Sequence, residues 1–208
     1  RFLGIRVPVT RSIVKEYGKN AEVGHAVALI DSPWHEVRLA GFLLLIEIFR
    51  RAGKAKNEAS QRFVVDTYMS LIHRGNNWDL VDLVAPKILG EWLVEHPDDE
   101  RLLHELSAMD GQLWHQRVAI VATWTLICHG RFAPTLTIAE KYLTQTHDLI
   151  HKATGWMLRE TGKRDGMPEL LSFLDRHATV MPRTMLRYAI EKLPEPMRKH
   201  YLARKVLI

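Results

Sequence analysis

The five residues QRVAI (Gln116–Ile120) decide how this chain folds, because similar elements return along the sequence at a regular spacing. The variants share a basic residue in the second place, and they are VRLAG (37–41), HKATG (151–155) and LRYAI (186–190). Arg117, Lys152 and Arg187 follow one another at intervals of 35 residues. A fixed period of this length is typical of tandem helical hairpins that stack on one another.

The segments around these elements have the pattern of amphipathic helices. Apolar residues recur at three- and four-residue spacing, and Gly, Pro, Asp or Asn bounds each segment. The helical segments are 31–53, 57–75, 77–97, 99–111, 112–130, 133–147, 148–166, 167–180 and 182–194. No alternating strand pattern interrupts them. The sequence therefore predicts an all-α fold of HEAT-like helical-hairpin repeats, stacked in a curved solenoid with a basic concave face.

One position of the repeat carries the opposite charge. A step of 35 residues back from Arg117 reaches Asp82, and a further step of 44 reaches Arg38. Asp82 follows a helix start that Asn76 or Asn77 caps. Two interpretations are open: a structural carboxylate, which caps a neighbouring helix or pairs with Arg117, and a catalytic one. The two look alike in a sequence.

Two tryptophans lie close to these charged positions. Trp78 is four residues before Asp82, and Trp156 is four residues after Lys152, so each shares a helix face with a charged residue. The other four tryptophans fit packing within their hairpins, and they are Trp34, Trp92, Trp114 and Trp124. Aromatic faces beside cations and a carboxylate favour contacts with sugars or bases.

The charge balance favours a polyanionic partner. The 208 residues carry a formal net charge of +5, with a pI of about 9.4. The segment 177–208 holds two glutamates and seven basic residues, which are Arg183, Arg187, Lys192, Arg198, Lys199, Arg204 and Lys205. Nucleic acid is the simplest partner for such a surface. A basic surface without any partner is the alternative.

The composition also bears on the cellular compartment. No apolar run reaches the roughly 18 residues of a membrane span, and no signal peptide pattern is present. Cys128 is the only cysteine, which excludes a disulfide within the chain and predicts a reducing, cytoplasmic environment. Its apolar neighbours predict that Cys128 is a core residue.

Five motifs, taken in this order, resemble the DNA alkylation repair family, the AlkD-type HEAT-repeat DNA glycosylases. They are FLGIRVP, NNWDLVD, LWHQRVAIVAT, HDLIHKATGWMLRETGK and MPRTMLRYAIEKLP, and they extend from Phe2 to about Leu202. The resemblance implies excision of cationic N3- and N7-alkylpurines, such as 3-methyladenine and 7-methylguanine, from duplex DNA. It implies hydrolysis without base flipping in base excision repair, and no metal or other cofactor. Nothing in the sequence requires more than a monomer, so we expect one.

The same resemblance assigns residues to the active site. Asp82 matches the catalytic aspartate of the family, and Trp78 and Trp156 match its two active-site tryptophans. Arg117 matches an arginine that contacts the DNA backbone near the lesion.

Three more cations are candidate DNA contacts. Lys152 and Arg187 share the repeat position of Arg117, and Arg183 follows Pro182 at a predicted helix start, where phosphates bind well. A lone carboxylate in this cationic series suits a reaction whose leaving group is already charged, because no general acid is then needed.

We expect one domain over residues 1–208. The family's additional helical segment before FLGIRVP is expected to be absent. The alternative to a glycosylase is a non-catalytic HEAT-repeat scaffold that binds DNA or a protein. Asp82, Trp78 and Trp156 together favour the enzyme.

Overall fold

The structure, a computed structural model, describes residues 1–204, so Lys205 of the basic segment lies outside the described residues. Helices and short 3-10 turns form all of the regular structure in residues 1–204. This confirms the all-α prediction, and the arrangement is compatible with a helical-repeat solenoid. None of the described helices is long and apolar enough to cross a membrane.

The chain forms two compact units, Arg1–Trp92 (unit 1) and the part that begins at Leu93 (unit 2). The helices up to the boundary are α1 (Val7–Tyr17), α2 (Val23–Ile30), α3 (His35–Lys54), α4 (Glu58–Leu71), α5 (Trp78–Val84) and α6 (Leu89–Glu95). The later helices are α7 (Arg101–Ser107), α8 (Leu113–Cys128), α9 (Ala133–Lys141), α10 (Asp148–Lys163), α11 (Met167–His177), α12 (Arg183–Ala189) and α13 (Glu195–Ala203). The single domain over 1–208 stays a prediction.

Helix α3 is the centre of unit 1. It contacts α1, α2, α4 and α5, so its apolar side chains are buried almost all round. Phe42, Leu45 and Phe49 are among the buried ones. The continuous apolar sequence LAGFLLLIEIF (39–49) thus belongs to a helix enclosed by others.

Helix α10 has the same central place in unit 2. It packs against α8, α9, α11 and α12. The apolar stretch Val118–Ala122 of α8 is buried, as are Ala153, Met157 and Leu158 of α10. The second helices of the three pairs, α8, α10 and α12, therefore follow one another side by side.

Glycine permits the closest helix contacts. A Cβ atom added to Gly155 of α10 would lie 2.4 Å from the carbonyl oxygen of Met185 and 2.5 Å from Cβ of Tyr188, both on α12. A Cβ atom on Gly41 of α3 would lie 2.7 Å from the carbonyl oxygen of Ala26 on α2. Each glycine is three residues after a repeat position, Lys152 or Arg38, so the repeat element also contains the packing residue.

The N-terminal motif FLGIRVP holds a buried carboxylate. Glu36 of α3 accepts hydrogen bonds from the backbone N–H groups of Leu3 and Gly4 at 2.8 Å and of Ile5 at 3.3 Å. Gly4 has a φ of +78°, a conformation that a residue without Cβ adopts readily. Burial acts to raise the pKa of Glu36, but the amide donors outweigh it and the pKa lies below its ordinary value.

Two expectations about local structure were wrong. The predicted helix 77–97 is interrupted by a 3-10 turn at Ala85–Lys87, because Pro86 lacks an N–H group and its ring clashes with the preceding turn. Cys128 was expected in the core but is exposed, since it is the last residue of α8, where the apolar face has ended.

We predict that Gly155→Ala lowers the free energy of unfolding by about 1–3 kcal/mol, because the new methyl group overpacks the contact between α10 and α12. Urea denaturation measures the change. Gly24→Ala is the control: nothing lies within 4 Å of its added Cβ, and alanine favours the helix by up to about 1 kcal/mol. Equal denaturation midpoints for wild type and Gly155→Ala would contradict the close contact.

Candidate functional site

The repeat positions found in the sequence occupy matching places in the structure. Each lies about one turn inside the second helix of a pair: Arg38 on α3, Asp82 on α5, Arg117 on α8, Lys152 on α10 and Arg187 on α12. The 35-residue spacing therefore reflects one recurring structural position. Its occupants differ in burial and in their partners, which the spacing could not indicate.

Asp82 lies half-buried on α5, within electrostatic range of Tyr68 on α4. Burial raises the pKa of the Tyr68 phenol, and the negative charge of Asp82 raises it further. Tyr68 is buried and keeps its proton at neutral pH. The neighbourhood of Asp82 thus includes a neutral phenol.

Trp78 begins α5 and is 55% exposed, unusual for so large an apolar side chain. The side chain of Asn77 accepts a hydrogen bond from the backbone N–H of Trp78 at 2.8 Å, which confirms Asn77 as the capping residue. Because Trp78 precedes Asp82 by four residues, both side chains belong to one face of α5. That face presents an accessible aromatic ring beside a carboxylate.

Two hydrogen bonds from α3 hold α5 in place, and a third lies within α5 itself. Asp79 accepts from the ring of His35 at 2.7 Å and from the backbone N–H of Leu80 at 2.9 Å. Arg38 donates to the side chain of Asn76 at 3.1 Å, just before the helix. A helix of seven residues has little stability of its own, so these bonds and its packing on α3 determine its orientation.

The sequence did not reveal this anchor. His35 and Asp79 are 44 residues apart, and neither lies at a repeat position. A signal was present, because His35 and Asp79 each lie three residues before a repeat position, Arg38 or Asp82.

In unit 2, Lys152 and Trp156 lie one turn apart on α10, and both are half-buried. The ammonium group of Lys152 contacts the carboxylate of Asp148 at 2.6 Å. This hydrogen bond is the main cause that lowers the pKa of Asp148, with a smaller contribution from Thr184 of α12, and it raises the pKa of Lys152. Lys152 therefore remains protonated but shares its charge with a neighbouring acid.

Arg117 is only 5% exposed. Its guanidinium group donates to the backbone carbonyl of Leu149 in the first turn of α10, and so ties α8 to α10. Its charge also acts on Lys152. Contact of Arg117 with a DNA phosphate stays a prediction, and it would use the small exposed part of the side chain.

The two remaining candidate cations have different surroundings. Arg183 donates to the backbone carbonyl of Leu202 at 3.1 Å, near the end of α13, and is half-buried. Arg187 is exposed and makes no hydrogen bond or ion pair within the described part of the chain. Of the predicted DNA contacts, Arg187 is thus the most open to an incoming phosphate.

Two histidines four residues apart, His147 and His151, have structural roles. His147 caps α10, since its Nδ1 accepts from the backbone N–H of Leu149 at 3.1 Å. The ring of His151 contacts the carbonyl of Gln145 at 2.6 Å. No group of three or more His, Cys, Asp or Glu side chains that could hold a metal ion occurs within residues 1–204.

Comparison with known proteins identifies the family. A family model described as DNA alkylation repair enzyme matches residues 1–193. The chain belongs to this family, which implies DNA as the substrate. No curated protein sequence matches the chain significantly.

A solved structure shares the fold. It is that of a predicted DNA alkylation repair enzyme from Enterococcus faecalis, with a TM-score of 0.74 and 18% sequence identity. The match covers 93% of this chain and 89% of that chain. At this identity the likeness shows the fold alone.

We predict that Asp79→Ala loosens α5, because it removes the bond to His35 and leaves a buried imidazole without its partner. The free energy of unfolding should fall by about 1–3 kcal/mol. Amide hydrogen exchange in α5 should quicken more than in α3. Asp66→Ala is the control, since its ion pair with Arg62 is exposed on α4 and contributes little. Unchanged exchange in α5 would show that the anchor is unimportant.

We predict that Arg187→Ala weakens binding to duplex DNA without loss of stability, because this exposed guanidinium has no partner to leave behind. The slope of log affinity against log salt concentration should decrease by about 0.9 if one phosphate contact is lost. Arg176→Ala removes the same charge from the exposed surface of α11 and serves as the control. Identical slopes for the two variants would exclude a specific phosphate contact at Arg187.

Proposed function

We propose that this protein is a DNA glycosylase that excises cationic N3- and N7-alkylated purines, such as 3-methyladenine and 7-methylguanine, from duplex DNA in base excision repair. The observation that carries the proposal is the pair on α5: the carboxylate of Asp82 and the exposed ring of Trp78 on one helix face. The carboxylate interrupts a series of basic residues at the repeat position. Family membership supplies DNA as the substrate.

The proposed chemistry needs one carboxylate and no general acid. Alkylation at N3 or N7 gives the purine a positive charge, so the base leaves as a neutral molecule. As the N-glycosidic bond breaks, positive charge develops on the deoxyribose, which becomes oxocarbenium-like. Asp82 stabilises that charge and orients the attacking water, as the stabilising carboxylate does in glycosidases. Water adds to the sugar carbon and gives up a proton.

The two tryptophans act on the sugar. The negative faces of aromatic rings attract a developing cation, which favours contact of Trp78 and Trp156 with the deoxyribose. Each ring lies one turn from a charged residue on its own helix, Asp82 on α5 or Lys152 on α10. Trp78, at 55% exposure, is accessible without rearrangement of its surroundings.

The basic residues of unit 2 hold the DNA backbone in this proposal. Arg187 is exposed and Lys152 is half-buried, which suits direct contact with phosphates. Arg183 contributes near the start of α12. Arg117 adds charge and braces α8 against α10 through Leu149, with only its exposed edge facing DNA.

Selectivity follows from charge. A neutral, unmodified purine would have to leave as an anion, and it brings no positive charge to the carboxylate of Asp82 before the bond breaks. The enzyme would then recognise the lesion by its charge and weakened stacking. It would not flip the base, which avoids an unstacking cost of a few kcal/mol. We propose a monomer that works without a cofactor in the cytoplasm and is associated in function with the nucleoid.

We predict that Asp82→Asn keeps its affinity for duplex DNA and loses excision by a factor of about 10²–10³, because one stabilising group for the transition state is removed. The measurement is release of free 3-methyladenine and 7-methylguanine from methylated duplex DNA, separated by chromatography. Asp66→Asn makes the same charge change on the exposed surface of α4 and should remain active.

Two outcomes would count against this proposal. Full activity of Asp82→Asn would exclude the proposed role of the carboxylate. No release by the wild type, with DNA binding intact, would favour the alternative, a helical-repeat scaffold without catalytic activity.

A further inference from the structure

Unit 1 contains a second charged feature, on residues that the repeat does not include. Arg11 and Lys15 of α1, Arg50 of α3 and Lys87 of the 3-10 turn line one groove of about 310 Å³, which we name the α1–α3 basic groove. Its apolar lining consists of Val14, Leu43 and Ile46. Glu47 is the single acid in the lining.

Positive charge in this groove exceeds negative charge. Four cations face one acid, Glu47, which contacts Arg50 at 3.1 Å and not Arg11, Lys15 or Lys87. These three make no hydrogen bond or ion pair with any other residue that the structure describes. Like charges held together cost free energy in the unbound protein, and an anion between them would recover it.

The state of Lys87 fits this description. Its burial and then the positive charges of Arg11 and Arg50 lower its pKa, against a smaller opposing effect of Glu47. Arg11 and Lys15 are four residues apart on α1, so both side chains lie on one helix face. The break at Pro86 puts Lys87 in a turn and not in a continuous helix. The cluster therefore follows from ordinary helix geometry and one proline.

We propose that the α1–α3 basic groove binds a phosphate of the DNA backbone. Guanidinium groups recognise phosphate oxygens through paired hydrogen bonds, and ammonium groups add charge, so the lining has suitable donors. Charge complementarity selects a polyanion, and family membership makes duplex DNA the polyanion. The inference rests on the proposed function only for DNA as the partner, and it adds a contact that does not involve Asp82.

The test is binding of unmodified duplex DNA, followed by fluorescence anisotropy at several salt concentrations, to the double variant Arg11→Gln/Lys87→Met. Loss of two phosphate-neutralising charges should reduce the slope of log affinity against log salt concentration by about 1.8 and weaken binding at least tenfold at low salt. The control, Lys54→Gln/Lys56→Gln, removes the same charge from exposed positions outside the groove. Equal losses in both variants would overturn the proposal.

Thermal unfolding separates a binding role from a structural one. Lys87→Met keeps the aliphatic stem and removes a charge that its neighbours repel, so the midpoint at low salt should rise while DNA affinity falls. A lower midpoint together with unchanged affinity would assign Lys87 a structural role and overturn the proposal.

Two further measurements distinguish a DNA phosphate from a free anion in the groove, and failure of this proposal from failure of the glycosylase proposal. Unchanged DNA binding by the double variant, with inorganic phosphate stabilising only the wild type, would indicate a site for a free anion and overturn the DNA assignment. Failure of the wild type to excise any base contradicts the proposed function alone, since the binding experiment uses unmodified DNA.

Discussion

The structure depends on one constraint: the second helix of each pair must bury most of its surface and still carry a charged residue about one turn from its start. In α8 this residue is Arg117, which is buried and satisfied by a backbone carbonyl of α10. In α10 it is Lys152, which shares its charge with Asp148, and in α12 it is the open Arg187. A buried charge needs a partner within the protein, whereas an exposed charge is solvated by water and remains available to a ligand. The same repeat position thus supplies a structural tie in one pair and a free cation in another.

Helix α5 meets this constraint under the hardest conditions, because it has only seven residues and carries a carboxylate at the shared position. The hydrogen bond that Asp79 accepts from His35 belongs to unit 1 alone and does not involve Asp82. In the proposed function, orientation and chemistry are therefore assigned to separate acids, three residues apart. Asp79 is bound to a histidine and unavailable for catalysis, while Asp82 shares the exposed face of Trp78. In the proposed function, such a separation fixes the helix through Asp79 and leaves the catalytic role to Asp82.

Much of this organisation could be predicted from the sequence, and the limits have physical reasons. Helical periodicity records burial, so the all-α fold and the repeat positions of Asp82 and Lys152 were visible in the sequence. Contacts such as that of His35 with Asp79 were not, because their separation of 44 residues equals the step from Arg38 to Asp82 and shows which positions correspond, but not which side chains touch. Cys128 was misplaced because apolar neighbours along the chain do not show where a helix leaves the core.

Alkylated DNA carries charge of both signs, and unit 1 has a feature suited to each. In the two proposals, the anionic backbone meets the cations Arg11 and Lys87, and the cationic lesion meets the carboxylate of Asp82. A protein with basic residues alone would bind all DNA equally and could not favour a charged base. A carboxylate alone would be repelled by the phosphates. The cations can supply affinity and the carboxylate selectivity only if the two kinds of charge do not neutralise each other. In this chain they lie on different elements: the cations on α1 and in the 3-10 turn, and the carboxylate on α5.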